Sequence, residues 1–259
     1  MPEFVTLDVE DRIGTIRIDR PPVNALDTQT HRELVAAAHE ANANPEVRAV
    51  IVYGGEKVFA AGDDIKELVE FDAAAAPAVA AGIQTALGCI AAIAKPTVAA
   101  ITGYALGGGL EVALGADRRI VGDNVKLGLP EILLGVIPGG GGTQRLARLI
   151  GASRAKELIY TGKFVDADEA LALGLVDEVV APDEVYNVAR RWAVQFVDGP
   201  AKALAAAKAA IDGGLAGDLA AGLALEQREF AALFATKDLQ IGIRSFVENG
   251  PGQAQFTGE

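Results

Sequence analysis

Apolar and polar positions follow two rhythms along the chain, one typical of strands and one typical of helices. Residues 15–18 and 47–52 are β-branched, apolar runs of strand length, and residues 27–42 between them place apolar side chains at helical spacing. Asp27 at the start of that stretch predicts a helix cap. A strand at 97–101, a glycine turn and a helix then repeat the same order. The recurrence predicts an α/β fold.

The pattern changes in the last quarter of the chain. Residues 202–211 and 219–235 are rich in Ala and Leu at helical spacing, without the β-branched runs seen earlier. We therefore predict a helical C-terminal region, 200–259, whose apolar faces pack on the preceding core, 1–199, or on another subunit.

The composition limits the possible partners. With 259 residues, 51% of them hydrophobic, the chain can bury a core without metals or disulfides, and its one cysteine, Cys89, lies in an apolar run that predicts a core position. The formal net charge of -12 argues against a nucleic-acid partner, because phosphate binding requires a basic face. No basic-then-apolar leader opens the sequence and no apolar run reaches ~18 residues, so we expect a cytoplasmic protein with no membrane partner.

Several common catalytic motifs are absent from the sequence. Gly103 and Gly108 have the spacing of a phosphate-binding loop, but Gly109 and Leu110 follow where Lys and Ser or Thr are required. The sequence also contains no dinucleotide-binding glycine pattern and no serine-nucleophile elbow. We therefore expect neither a nicotinamide cofactor nor a serine hydrolase.

The two histidines, His31 and His39, lie eight residues apart in one predicted helix. This spacing matches no recognised set of metal ligands. We expect both to be solvated surface residues, and we expect no metal site.

Two glutamates stand beside glycines in otherwise apolar surroundings. Glu111 follows the glycines at 107–109, where a strand is predicted to turn into a helix, and Glu131 lies in the apolar segment 129–135. Two interpretations of Glu111 stay open on the residues alone: an acid that complements the helix dipole, or part of a site where free N–H groups at the helix start face a ligand. A similar turn at Asp63 is either a helix cap or a second N–H donor to the same point.

Five motifs, taken in order along the chain, resemble the crotonase (enoyl-CoA hydratase/isomerase) family. They are RPPVNAL at 20–26, FAAGDDIKEL at 59–68, GYALGGGLE at 103–111, LPEILLGVIPG at 129–139 and GTQRL at 142–146. Further matches at 158–162 and 170–176 extend the resemblance over almost the whole chain. It implies a crotonase-like spiral of ββα units with a helical C-terminal subdomain, in which 1–199 hold the active site and 200–259 serve trimerisation and act as a lid.

The resemblance also implies roles for individual residues. Glu111 is expected to orient and deprotonate a water, Glu131 to deliver the α-proton, and the Gly139 N–H to help hold the water. The backbone N–H groups of Asp63 and Gly108 are expected to form an oxyanion hole for the thioester oxygen. The residues implied to contact coenzyme A are Ala25, Ala61, Asp64, Ile65 and Lys66.

The implied activity is that of an enoyl-CoA hydratase, which reversibly adds water across the double bond of a 2-enoyl-CoA to give 3-hydroxyacyl-CoA, as in fatty acid β-oxidation. One group must activate water and another must donate a proton, which two carboxyls in different protonation states provide. Coenzyme A is part of the substrate, so no separate cofactor is implied, and a homotrimer or homohexamer is expected. Enoyl-CoA isomerase and a specialised acyl-CoA dehydratase are alternatives, and a non-catalytic acyl-CoA-binding protein is a third.

Three positions depart from the family pattern. Asp63 replaces the small residue usual in the oxyanion turn, so its carboxylate must turn away from the developing enolate. Leu110 stands where a small residue is common, which puts the acyl-chain preference in question. The segment 249–253 lacks the usual cluster of Lys and Arg, so phosphate binding is expected to be weaker there or supplied by residues such as Lys57.

Overall fold

The computed structural model describes residues 2–259. Within them, strands and helices are interspersed as far as residue 194, and helices alone follow. The strands are β1 Val5–Glu10, β2 Ile13–Ile18, β3 Ala25–Leu26, β4 Ala49–Tyr53, β5 Gly62–Asp63, β6 Thr97–Ile101, β7 Tyr104–Leu106, β8 Arg118–Gly122, β9 Lys126–Gly128 and β10 Glu178–Val180. The α-helices are α1 Thr28–Ala43, α2 Ile65–Leu68, α3 Ala76–Gly88, α4 Gly108–Leu114, α5 Gly142–Ile150, α6 Ala152–Thr161, α7 Ala167–Leu173, α8 Val185–Val194, α9 Ala201–Gly214, α10 Leu219–Ala232 and α11 Lys237–Asn249. Short 3-10 helices span Pro130–Leu134, Pro182–Glu184 and Leu233–Ala235.

Six strands form one sheet in the order β1-β2-β4-β6-β8-β10, parallel except for the antiparallel pair β1 and β2. The other four form two short parallel pairs, β3 with β5 and β7 with β9. Each of β4 and β6 is thus followed by a short strand outside the main sheet and then by a helix. This arrangement confirms the predicted α/β fold and its ββα units.

The main sheet is covered on both faces. One face packs under α1 and α3 to α7 in the larger core, and the other packs under α8, where Val185 and Ala189 belong to one cluster with Ile51, Val98 and Ile120. Because the central strands are buried on both sides, β4 and β6 are continuous apolar runs and show no alternation.

Cys89 lies in the larger core, as predicted, with its thiol 3.7 Å from the Leu34 carbonyl oxygen. Burial raises the pKa of this thiol to about 12. It is therefore a small packing residue with little thiolate character.

Asn24 ties the RPPVNAL motif to the chain that follows β4. Its buried side-chain amide donates to the carbonyl oxygens of Gly54, Val58 and Phe59 at 2.7, 3.1 and 3.1 Å. Its own amide oxygen accepts the Arg20 N–H at 2.8 Å. Asn24 has a φ of +53°, a conformation that asparagine tolerates better than most residues. This one side chain thus satisfies several buried carbonyls at the approach to the site.

Beyond residue 200, α9 and α10 pack against each other, and α11 is joined to the chain end. Asp238 at the start of α11 is buried and accepts the N–H groups of Thr257 and Gly258 at 2.7 and 2.8 Å. The predicted helical region is therefore present, while its part in assembly stays a prediction. Within residues 2–259, no helix combines the length and the apolarity needed to cross a membrane.

Candidate active site

The two glycine turns singled out in the sequence lie against each other. The Leu106 N–H donates to the Ala60 carbonyl at 3.0 Å, which joins the turn before β5 to the end of β7. A Cβ added to Gly109 would lie 2.3 Å from the Ala60 oxygen, and one added to Gly62, where φ is +105°, would lie 2.9 Å from the Leu106 oxygen. Glycine is therefore required at both positions for the two backbones to approach this closely.

The close contact of the two turns brings the backbone N–H groups of Asp63 and Gly108 near each other. The Asp64 N–H bonds to the Leu26 carbonyl within the β3–β5 pair, so the Asp63 N–H points to the opposite side of the strand. Gly108 is the first residue of α4, where N–H groups have no partner within the helix. The Gly108 nitrogen lies 3.6 Å from a Cβ built on Gly62. Both N–H groups are thus candidate donors to one ligand atom.

Glu111 is buried beside these donors and is itself held by two others. The residue is only 1% exposed, and its Oε1 accepts the N–H groups of Gly140 and Gly142 at 2.8 and 2.6 Å. Burial raises the pKa of Glu111 to about 7, helped by the negative charge of Asp63 and opposed by the two N–H donors. Those donors stabilise the ionised form and hold the pKa of Glu111 below the value that burial alone would give.

Glu131 lies in the first turn of the 3-10 helix Pro130–Leu134, and its carboxyl faces the glycine turn at Gly107. Its Oε1 is 3.2 Å from a Cβ built on Gly107, and both carboxyl oxygens are buried without a hydrogen-bond partner in residues 2–259. Burial raises the pKa of Glu131 to about 7, with further increases from the charges of Glu111 and Asp63. The backbone N–H of Glu131 itself partly opposes this rise in pKa, but no other group within residues 2–259 donates to the carboxyl, so the protonated acid is favoured.

Two carboxyls with different hydrogen-bonding surroundings and the candidate N–H donors of Asp63 and Gly108 therefore lie around the same pair of turns. Such a site can take a proton with one carboxyl and give a proton with the other, while the N–H groups bind an oxygen that gains negative charge. This is the chemistry of proton transfer next to a carbonyl or thioester.

Comparison with known proteins identifies the family of this chain. The family model described as enoyl-CoA hydratase/isomerase matches residues 8–259. This chain belongs to the enoyl-CoA hydratase/isomerase family.

Individual family members cover the chain almost completely. A probable enoyl-CoA hydratase, echA17, of Mycolicibacterium paratuberculosis is 52% identical over 238 residues, 90% of this chain and 93% of that protein. A probable enoyl-CoA hydratase, echA8, of Mycobacterium bovis is 42% identical over 247 residues, 95% of each chain. The crystal structure of an enoyl-CoA hydratase from Bacillus anthracis superposes with a TM-score of 0.92 at 36% identity and covers 99% of this chain and 100% of its own.

Most residues expected to contact coenzyme A in this family member lie around the β3–β5 pair. Ala25 and Ala61 are partly buried near the pair, and Ile65 and Lys66 lie on α2 with at least part of each side chain accessible. Asp64 differs, because its carboxylate is already engaged: it caps α2 through the Lys66 N–H at 3.1 Å and accepts from Arg20 at 3.1 Å. The coenzyme contacts themselves stay predictions.

Arg20, which was not predicted to belong to the site, joins the start of α1 to β5. Its guanidinium lies 2.9 Å from Asp27 and 3.1 Å from Asp64, and it also donates to the Ala25 carbonyl at 3.0 Å. The sequence contained a feature that could have indicated Arg20, since it stands four residues before Asn24 in the family motif. Its partners could not be known, because they lie 7 and 44 residues further along the chain.

The expectation that both histidines are solvated is wrong for His31. Its side chain is 15% exposed, and its Nε2 lies 2.9 Å from Asp63 Oδ1. The reason is tertiary: the Arg20 bridge draws the first turn of α1 against β5, so the face that carries His31 meets Asp63. His39, two turns further along the helix, is exposed as expected.

The donors that bond to Glu111 were not predicted from the sequence. The N–H groups that bond to Glu111 belong to Gly140 and Gly142, and Arg145 supports this loop by donating to the Gly140 carbonyl at 3.2 Å. The glycine run at 139–142 was the sequence feature that could have indicated these N–H donors. The expected role of the Gly139 N–H in holding water stays a prediction.

An apolar cavity of about 710 Å³ opens beside Asp63, between α1, α2 and α3. Its apolar walls are Leu26, Val35, Leu68, Phe71, Val79 and Ile83. His31 and Asp63 form part of its polar lining. Leu110, in contrast, is packed in the larger core.

Replacing Glu131 with Gln is expected to stabilise the protein at alkaline pH. A pKa raised from 4.5 to about 7 means that ionised Glu131 is disfavoured in the folded state. The resulting loss of stability begins as the pH rises past 4.5 and is complete above 7. It amounts there to roughly 3 kcal/mol before solvent screening of this partly exposed residue reduces it, and the neutral amide avoids it. Thermal unfolding of both proteins should therefore show a higher midpoint for Glu131→Gln at about pH 8 and a much smaller difference at about pH 5.

Glu10→Gln is the matched control, because Glu10 is exposed on β1. Its midpoint should follow the wild type at both pH values. Equal midpoints for Glu131→Gln and the wild type under the alkaline condition would show that the Glu131 carboxylate is not disfavoured by folding.

Proposed function

We propose that this protein is an enoyl-CoA hydratase that uses Glu111 as the base and Glu131 as the acid. The observation that carries the proposal is the contrast between the two buried carboxyls. Glu111 accepts two backbone N–H groups, whereas Glu131 accepts none from the described residues. One fold thus offers an ionised and a protonated carboxyl to the same substrate, which addition of water requires.

In the proposed reaction the thioester oxygen accepts the N–H groups of Asp63 and Gly108. Glu111 takes a proton from water as the oxygen of that water bonds to the β-carbon, and the electrons of the double bond move onto the thioester oxygen as an enolate. Glu131 then gives its proton to the α-carbon, and the enolate returns to a thioester. Each preorganised N–H donor contributes roughly 3 kcal/mol at the stage when the oxygen is negative.

The acyl chain is proposed to enter the cavity between α1, α2 and α3. This cavity begins at Asp63, whose N–H is the proposed donor, and its walls are mainly apolar. Its volume of about 710 Å³ is larger than a four-carbon acyl group needs. A medium or long acyl chain therefore matches the space and its chemistry.

A homotrimer or homohexamer is proposed for the assembly, with residues 200–259 serving trimerisation and acting as a lid. The support is the apolar surface that these helices expose. More than half exposed are Ile211, Leu215, Leu219, Leu223, Phe230, Phe234, Ile243, Phe246 and Val247. Such a concentration of exposed apolar side chains is typical of an interaction surface.

Glu111→Gln and Glu131→Gln are each expected to lower kcat for hydration by roughly 10²- to 10⁴-fold, because each removes one partner of the proton transfer. The measurement is loss of enoyl-thioester absorbance with crotonyl-CoA and with longer 2-enoyl-CoA esters. Glu10→Gln should retain wild-type rates.

Three other results would contradict the proposal in distinguishable ways. Migration of the double bond without addition of water would identify an isomerase. Strong activity in one variant would remove that glutamate from the mechanism. Binding of CoA esters with no turnover by the wild type at any chain length would identify a non-catalytic binding protein.

Gly82→Phe is expected to shorten the accepted acyl chain. Gly82 lies on α3 and lines the cavity, and a Cβ built there meets nothing within 4 Å, so a ring can occupy open space. Loss of buried acyl area should lower kcat/KM for a ten-carbon enoyl-CoA on the order of tenfold or more and leave crotonyl-CoA within about twofold. Gly82→Ala is the control, and an equal fall for both substrates would place the acyl chain elsewhere.

The mass of the purified protein, measured by light scattering coupled to size exclusion, is expected to be three or six times 26.7 kDa. Burial of the apolar helical surface provides the driving force. A monomer at micromolar concentration would contradict the proposed role of residues 200–259.

A further inference from the structure

Asp63 combines two electrostatically opposed groups at one position. Its backbone N–H is proposed to bind the oxygen that becomes an enolate, and its side chain carries a negative charge. The carboxylate lies beside the second donor, with Oδ2 2.7 Å from a Cβ built on Gly108. A carboxylate this close to a developing enolate repels it, so its direction and its compensation affect the reaction.

Apart from His31, the charged groups around Asp63 do not stabilise its carboxylate. Glu111 and Glu131 are buried acids whose pKa values its charge raises. The nearby Arg20 is already shared between Asp27 and Asp64. An acidic side chain in such surroundings requires a donor or a cation of its own.

His31 supplies that partner from the first turn of α1. Its Nε2 lies 2.9 Å from Asp63 Oδ1, and both atoms are buried. Within residues 2–259 neither atom makes a hydrogen bond, to the other or to a third group, so the two are paired as a close charged contact. The contact draws one carboxylate oxygen toward α1, on the side of Asp63 that faces the helix.

We propose that His31 is a positioning residue for catalysis. It holds the Asp63 carboxylate against α1 and compensates its charge, so that the Asp63 N–H can bind the thioester oxygen without repulsion from its own side chain. The inference rests on the proposed hydratase function. It explains how a position usually occupied by a small residue can carry an acid in this chain.

The test is a double-mutant cycle of His31→Ala and Asp63→Asn, assayed by hydration of crotonyl-CoA. With Asp63 present, His31→Ala should lower kcat on the order of tenfold or more and change KM by less than about threefold, because repulsion grows as the enolate forms. In the Asp63→Asn background the charge is gone, and His31→Ala should change kcat by less than about twofold. His39→Ala, on an exposed turn of the same helix, is the matched control and should equal the wild type.

Equal losses from His31→Ala in both backgrounds would overturn the inference, because a purely structural role does not depend on the charge at residue 63. A loss confined to KM, or one that varies with acyl length, would also overturn it and assign His31 to the cavity wall. Circular dichroism and thermal midpoints of all variants identify any that fail to fold, and His31→Gln then replaces His31→Ala in the cycle. If the wild type is active but the effects of His31→Ala and Asp63→Asn are independent, only this inference is contradicted. If the wild type turns over no enoyl-CoA, the proposed function is contradicted as well.

Discussion

The site depends on the close contact of two backbone turns. Where the Ala60 carbonyl meets Leu106, a side chain at Gly109 or Gly62 would overlap the opposing backbone by more than a small adjustment could relieve. Everything else in the site is placed relative to this contact. It brings Gly108, the first residue of α4, close to Asp63, and α4 carries Glu111. Because backbone atoms make the contact, few substitutions could preserve it.

Burial of acids is the second constraint. The negative charge of Asp63 raises the pKa values of Glu111 and Glu131, and the charge of Glu111 raises that of Glu131 further. The three carboxyls differ in their surroundings. Glu111 accepts two N–H groups, Glu131 is favoured as the neutral acid, and Asp63 contacts His31. The same burial that destabilises the fold above neutral pH brings both glutamates to a pKa of about 7, at which they can exchange protons near neutral pH. Stability and reactivity are therefore linked through the same two side chains.

Polar side chains that are not proposed to react with the substrate hold the segments around the site together. Asn24 satisfies three carbonyls on the chain after β4, and Arg20 holds α1 to β5 through Asp27 and Asp64. These contacts decide which face of α1 meets the active site. Through them the RPPVNAL motif, which contains none of the proposed acid or base groups, contributes to the electrostatics around Asp63.

The sequence was enough to predict the α/β class, the positions of β6, α1, α9 and α10, the burial of Cys89 and the family, because these follow from local periodicity and from motifs in a fixed order. It also identified Glu111 and Glu131 as unusual, since an acid beside glycines in an apolar run stands out. The packing of the folded chain was needed to show that Gly140 and Gly142 bond to Glu111, that Arg20 bridges two acids, and that His31 contacts Asp63. Those contacts join residues 29 to 44 positions apart, apart from the link of Arg20 to Asp27, and a pattern along the chain carries no information about which side chains meet across such distances once the helices and strands pack.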